Sequence, residues 1–172
     1  MVKGLTRSLG RGVATVQKIM KHTVTVRAAA LEVDGATGVG FGTAVVGDLP
    51  EGNVLFLGAT SYLQITTADA GITATFDGDY GVGTTPADDA TITGADVDVI
   101  PSTALGAATA GISPRVRGAS AVATCGTIHD NTDGSLELNL NVLIDDAAIS
   151  ADDTASTFDL DMVLSYVVLG DD

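Results

Sequence analysis

No tryptophan occurs anywhere in the chain, and aromatic residues make up only 4% of it. A core of large aromatic plugs is thereby excluded, and so are the aromatic platforms that sugar-cleaving clefts hold against their substrates. The single Cys125 rules out an intramolecular disulfide, and no spacing of cysteine and histidine matches a zinc ligand set. A buried structural thiol is the expectation for it. No apolar run approaches the ~18 residues of a membrane-spanning helix. Basic residues are scarce, 8 Lys and Arg against 22 Asp and Glu, which makes the body a poor partner for nucleic acid and a well-solvated one. Glutamate is rarer still, at three of the 22 acids (Glu32, Glu51, Glu137), so long Lys- and Glu-rich helices are absent.

What is present is glycine (21 residues) together with much alanine, threonine and valine, the composition of strands packed by small and β-branched side chains. At 172 residues, one folding unit would bury about 70% of its unfolded surface, enough for a core without metal or disulfide. Aspartate, poor in strand interiors and good in turns, is expected to line loops and solvated faces.

The charge is ordered along the chain. Six of the eight basic residues (Lys3, Arg7, Arg11, Lys18, Lys21, Arg27) precede the first acid, Glu32. Within residues 1–21, Leu5, Leu9, Val13, Val16 and Met20 recur at helical spacing beside a stripe of Lys3, Arg7, Arg11 and Lys18. This predicts a basic amphipathic arm over 1–21 and a folded body over 22–172. Gly10 and Gly12 each cost about 1 kcal/mol in a helix, so the arm is expected to order only against a partner. It lacks the aromatics of a nucleic-acid or membrane contact; an organelle-targeting segment and an inert tail are the other readings. The residues assigned to partner binding are therefore Lys3, Leu5, Arg7, Leu9, Arg11, Val13, Val16, Lys18 and Met20. The N-terminus shows no apolar signal-peptide block, so synthesis in a cytoplasm is expected.

From His22 onward the pattern has period two. Strands are predicted over 22–33, 39–46, 53–57, 61–67, 71–77, 90–100, 120–128, 135–145 and 156–169, with turns at 48–53, at Asp77-Gly78-Asp79 and at Asp133-Gly134. Residues 101–119 read as a long connection. In 135–145, Leu136, Leu138, Leu140, Val142 and Ile144 alternate with Glu137, Asn139 and Asn141, which predicts one core face and one wet face. The fold class implied is all-β: a two-sheet β-sandwich, jelly-roll-like. The last segment (Met162, Val163, Leu164, Tyr166, Val167, Val168, Leu169) is too continuously apolar for a half-solvated strand, which predicts self-association, as a homotrimer.

Reactive constellations are sparse. His22 and His129 lack the neighbours of a nucleophilic site, and Ser120 in Gly118-Ala119-Ser120-Ala121-Val122 misses the second glycine of a nucleophile elbow. Paired carboxylates (Asp77/Asp79, Asp96/Asp98, Asp159/Asp161 among others) are too abundant to single out a glycosidase pair. The run Asp130-Asn131-Thr132-Asp133-Gly134 lacks the register of an EF-hand, although calcium in a loop stays open as an alternative. Gly38-Val39-Gly40-Phe41-Gly42 and Tyr80-Gly81-Val82-Gly83 do not complete a phosphate-binding pattern. No catalytic, cofactor-binding or metal-binding residue is assigned, and the expectation is a non-enzymatic protein.

Four stretches carry a resemblance: Gly47-Asp48-Leu49-Pro50-Glu51-Gly52-Asn53-Val54, Tyr80-Gly81-Val82-Gly83-Thr84-Thr85-Pro86, Asp98-Val99-Ile100-Pro101-Ser102-Thr103, and the close Leu169-Gly170-Asp171. They resemble the head decoration (cement) proteins encoded near the major capsid gene in tailed bacteriophages of aquatic bacteria. The resemblance implies a sandwich or jelly-roll body, often trimeric, that binds the exterior of an expanded capsid and reinforces it against internal pressure, with the major capsid protein as partner and no nucleic acid or membrane. It transfers no site residue. A fibre knob, a neck protein, or a carbohydrate- or calcium-binding sandwich module is the alternative. Because apolar alternation and not metal specifies the core, the protein's far-UV circular dichroism should be β-type and unchanged by EDTA; a loss of signal on chelation would contradict this.

Overall fold

A computed structural model describes residues 18–36, 38–68, 71–146, 149 and 154–169. Nine strands are formed: β1 (Met20–Ala36), β2 (Val39–Asp48), β3 (Gly52–Thr67), β4 (Asp77–Gly83), β5 (Ile100–Ala104), β6 (Val116–Ala119), β7 (Ile128–Asn131), β8 (Glu137–Asp145) and β9 (Thr154–Val168). The regular helical structure among the described residues is one 3₁₀ turn, Gly94–Val97. Every strand pairing is antiparallel, along the path β5-β4-β8-β2-β1-β9-β3-β6, with β7 on β3.

β1 gives this path its shape. Residues 20–33 pair with β9, and Asp34–Ala36 pair with β2, so one strand serves two sheets. The first sheet holds β1, β9, β3, β6 and β7; the second holds β2, β8, β4 and β5. The end strands β5 and β6 approach each other, and the sheet nearly closes into a barrel. This arrangement is consistent with the jelly-roll-like sandwich expected from the strand pattern.

The interior follows from alternation. Leu138, Leu140, Val142 and Ile144 of β8 are fully buried and meet Leu63 and Ile65 of β3, Leu160 and Met162 of β9, and Leu31 and Val33 of β1 in one apolar cluster. Tyr80 of β4 crosses it. Its hydroxyl lies 3.1 Å from Ser61 Oγ and donates to Val116 O at 3.3 Å, linking the second sheet to β3 and β6 of the first. Burial raises the Tyr80 pKa above its ordinary value, the Ser61 contact opposing that shift. A Cβ at Gly118 would stand 2.6 Å from the Tyr80 hydroxyl and 2.8 Å from Ile100, so glycine is what lets the strut fit. Ser120 ties the closing edges: its hydroxyl donates to Val99 O at 2.7 Å and accepts from Ala59 N at 2.7 Å.

Several expectations are corrected. Glu137 is exposed, but Asn139 and Asn141 of β8 are buried, because residues 84–98 cross the outer face of the second sheet as a strap. Asn141 holds that strap with its whole amide: Nδ2 donates to Thr85 O and Asp96 O, both at 2.8 Å, while Oδ1 accepts from Ala87 N and Thr43 Oγ1. A Cβ at Gly83 would come within 2.1 Å of Ala95 O, so close backbone approach explains the glycine-rich Tyr80–Gly83 stretch of β4, and the turn expected at Asp77-Gly78-Asp79 is instead the start of that strand. The strand predicted at 90–100 is mostly this strap. Residues 101–119 contain most of β5 and all of β6, and 120–128 is largely turn. The strands predicted at 53–57 and 61–67 are one strand, β3, with a register shift between Phe56 and Gly58. Residues 71–76 form turns rather than a strand. β9 lies between β1 and β3, so Met162, Leu164 and Tyr166 enter the core and Val167 is also buried; the final apolar segment finds most of its cover inside the chain.

Two substitutions test the strut. Gly118→Val should cost about 1–3 kcal/mol of unfolding free energy through overpacking, and Tyr80→Phe about 1 kcal/mol through loss of its hydrogen bonds. Urea titration of both variants measures these losses; an unchanged midpoint for Gly118→Val would contradict the packing described.

Candidate functional site

The seven arm residues Lys3, Leu5, Arg7, Leu9, Arg11, Val13 and Val16 lie outside the described residues. The other two are placed. Lys18 is exposed just before β1, and Met20 is the first residue of β1, opposite Tyr166, so the strand begins two residues inside the predicted arm.

A cluster of polar residues lies on the outer face of the first sheet. Asp161 on β9, at the sheet's centre, stands directly across from Thr25 of β1 on one side and Tyr62 of β3 on the other, and Tyr62 faces Arg117 of β6. A bulge in β1 between Val26 and Ala29 brings Arg27 over this row. Ala28 in the bulge has a positive φ of 47°, and its N–H donates to Asp159 Oδ1 at 2.7 Å, so a carboxylate of β9 holds the irregular backbone in place. Arg27 is anchored three ways: to Val26 O at 2.7 Å, to Leu160 O at 3.2 Å and to Asp161 Oδ1 at 2.6 Å. Arg115 donates to the other oxygen, Asp161 Oδ2, and its guanidinium lies 5.9 Å from the centre of the Tyr62 ring. One carboxylate thus holds two arginines, one of them stacked on an exposed tyrosine.

The Arg27 hydrogen bond, aided by that of Arg115 and opposed by partial desolvation, holds the Asp161 carboxyl below the usual carboxylate range. Asp161 is open to solvent, so this fixes the geometry of the face more than it stabilises the fold. The arrangement presents guanidinium groups and an aromatic ring to whatever lies above the sheet.

Beside this cluster, the 120–127 turn region rises over the sheet and forms an open recess of about 340 Å³ lined by Leu57, Gly58, Thr60, Ser120, Cys125 and Val163. Cys125 is an exposed free thiol, not the buried one expected, because it falls in the turn and not in a strand. Its Sγ lies 3.4 Å from Ala121 O.

The remaining candidates take structural roles. Ser120 stitches the barrel edge, His129 packs edge-on to Phe56 with ring centroids 6.2 Å apart, and His22 pairs with Leu164 in β1. His129 Nδ1 lies 3.9 Å from Asp98 Oδ2, which also accepts from Thr84 Oγ1 at 2.8 Å. In the 130–134 run, Asp130 accepts from Thr132 N and Oγ1, and Asp133 from Ser135 N and Oγ. The Ser135 bonds hold the Asp133 pKa below its ordinary value. Asn131 is fully buried and donates to Leu49 O and Pro50 O at 2.9 Å, joining two turns. These loop oxygens are spent on their own turns, and no group of three or more potential metal ligands gathers among the described residues.

No protein-family profile matches the chain, and no curated protein does. Among solved structures, the chain is similar to one described as the structure of infectious bursal disease virus Gx strain, with 9% identity over 86% of this chain and a TM-score of 0.41. It spans 33% of that longer chain. It is also similar to a chain of a cyanophage Pam1 capsid asymmetric unit, with 20% identity, 88% of this chain and 85% of that one covered, and a TM-score of 0.39. The fold assignment rests on the strand pairing itself.

In sequence Asp159 and Asp161 read as one of many carboxylate pairs, with nothing to join them to Arg27, Tyr62 or Arg115. Alternation along β9 was enough to put both aspartates on one face; the β1 bulge and the register of β3 against β9, which bring Arg27 and Tyr62 to them, leave no local sequence signal. The folded pKa of Asp161 is depressed, so the stability it contributes is present above the unfolded carboxylate pKa of about 4 and is lost as pH falls through the folded value. Asp161→Asn should therefore lower the melting temperature near neutral pH, with the gap to the parent closing as both are taken below pH about 3. A gap that is the same at both pH values would show that the ion pairs contribute nothing.

Proposed function

We propose that the chain is a structural virion protein, a decoration or cement protein that seats on the outer surface of a phage capsid and reinforces it. The observation that carries this reading is the strand order. The first sheet runs first-ninth-third-sixth strand and the second runs second-eighth-fourth-fifth, the order of a jelly roll with β7 added at one edge. That architecture recurs in viral shell domains, where it supplies a rigid block and not a catalytic cleft. The short phrases shared with decoration proteins point the same way.

The site chemistry supports it. The buried polar side chains Asn131, Asn141, Ser61 and Tyr80 tie strands and loops to one another, which suits a rigid block. The best organised polar cluster lies on an open sheet face and offers arginine and tyrosine, residue types enriched where proteins dock. On this reading the protein is not an enzyme, needs no cofactor, and works as part of the virion exterior with the major capsid protein as its partner. The basic residues Lys3, Arg7, Arg11 and Lys18, with the apolar stripe from Leu5 to Met20, add a tether that orders on binding.

Because β1 begins at Met20, the test deletes residues 1–17 and leaves the strand whole. Thermal unfolding of the free protein should be nearly unchanged, while occupancy on purified expanded shells, read by co-sedimentation, should fall sharply; neutralising Lys3, Arg7, Arg11 and Lys18 together should give an intermediate loss. Failure of the intact protein to bind any expanded shell would overturn the reading.

A further inference from the structure

Positive charge is confined to one side of the sandwich, where it stands among the acids Glu32, Asp159 and Asp161. Every Lys and Arg among the described residues belongs to the first sheet or its approach: Lys18 before β1, Lys21 and Arg27 on β1, Arg115 just before β6 and Arg117 on it. The strands of the second sheet contain none. Their outer face instead carries acids. Asp77 of β4 stands directly opposite Asp145 of β8, and Asp79 occupies the next outward position beside Leu143. No Lys or Arg among the described residues forms an ion pair with any of the three. Like charges placed directly across two strands repel. A surface that keeps such a pair unrelieved is primed for a cation from elsewhere.

The first sheet offers that cation. Arg27 and Arg115 are engaged by Asp161, but Arg117 is exposed and has no carboxylate partner among the described residues. It stands beside Tyr62, which is 43% exposed and of a residue type enriched among interface anchors. The second sheet supplies apolar matter to match, with Phe41 and Leu143 half-buried beside the acids.

We propose that the outer face of the first sheet, around Arg117 and Tyr62, docks the Asp77, Asp79 and Asp145 face of a second copy of this chain. A two-fold contact through the second sheet would set acids on acids, and one through the first would leave Asp77, Asp79 and Asp145 without a cation; the head-to-tail arrangement, in which each copy uses both faces, brings Arg117 to those acids. Such contacts close into a ring or extend as a chain according to their angle. This inference names the surfaces for the self-association that belongs to the decoration-protein reading, but its test needs no shell, so the two stand or fall separately.

The experiment is sedimentation velocity of the full chain at on the order of 10 μM, in about 50 mM and about 500 mM salt. The parent should be associated at low salt and at least tenfold weaker at high salt. Arg117→Glu should be monomeric at low salt, and so should the double variant Asp77→Lys, Asp79→Lys, both keeping the parent's circular dichroism and melting behaviour, since all three positions face outward. Mixed in equal amounts, the two variants should associate again, because each retains the face the other has lost. A parent that is monomeric at low salt, association indifferent to salt and to both variants, or a mixture that stays monomeric would each overturn the proposal.

Discussion

A strand hydrogen-bonded to two sheets at once denies those sheets the freedom to slide. β1 does this: its long first part lies against β9, its last three residues lie against β2, and the two apolar faces it carries are turned toward each other. Everything inside depends on that constraint. Once β1 sets the relative position of the sheets, the alternation in β8, β9 and β3 delivers Leu140, Leu160 and Leu63 to one interior, and the Tyr80 hydroxyl finds Ser61 and Val116 within reach. The fit is narrow, as the space at Gly118 shows. Dense packing of small side chains replaces the aromatic mass this chain lacks.

The outer faces have opposite fates. The second sheet is crossed by the 84–98 strap, held by one asparagine amide that uses all of its hydrogen-bonding capacity. A buried amide so fully satisfied is stable and specific, whereas the same amide without the strap would simply be wet. The first sheet is left open over most of its width, so its outward side chains interact with one another and with whatever approaches. That is where Arg27, Asp161, Arg115 and Tyr62 lock together. An antiparallel sheet with one free face is a natural place for recognition, because its backbone is rigid and its outward residues are free to vary without disturbing the core.

The strands with long runs of alternation were legible along the chain. β1, β2, β8 and β9 were found close to their true limits because one face of each had to be apolar over many residues. β4, β5 and β6 were not. β4 reads as turns and glycines (Asp77-Gly78-Asp79, then Gly81 and Gly83), since Gly78 answers to the backbone of β8 and Gly81 and Gly83 to Val97, Ala95 and Asp96 of the strap. β5 and β6 are short and contain Pro101 and Gly118. The site was half visible. That Asp159 and Asp161 point outward follows from Phe158, Leu160 and Met162 pointing inward; that they hold a β-bulge and two arginines follows from register, which is a long-range property.

The sequence alone therefore determined the class of the molecule: an acidic all-β body with its positive charge gathered early in the chain and no disulfide or zinc cluster to staple it. Those are properties of composition and of period, and they survive any arrangement of the strands. The tertiary structure decided which residues became neighbours. Asn141 became a buried tie instead of a wet residue, Cys125 an exposed thiol instead of a buried one, and Asp161 the centre of a cluster drawn from residues 27, 62 and 115. The reason is physical. Period two states which side of a strand a residue faces, but not which strand lies beside it or what crosses above, and those are settled only when distant strands compete for the same hydrogen bonds and the same apolar cover.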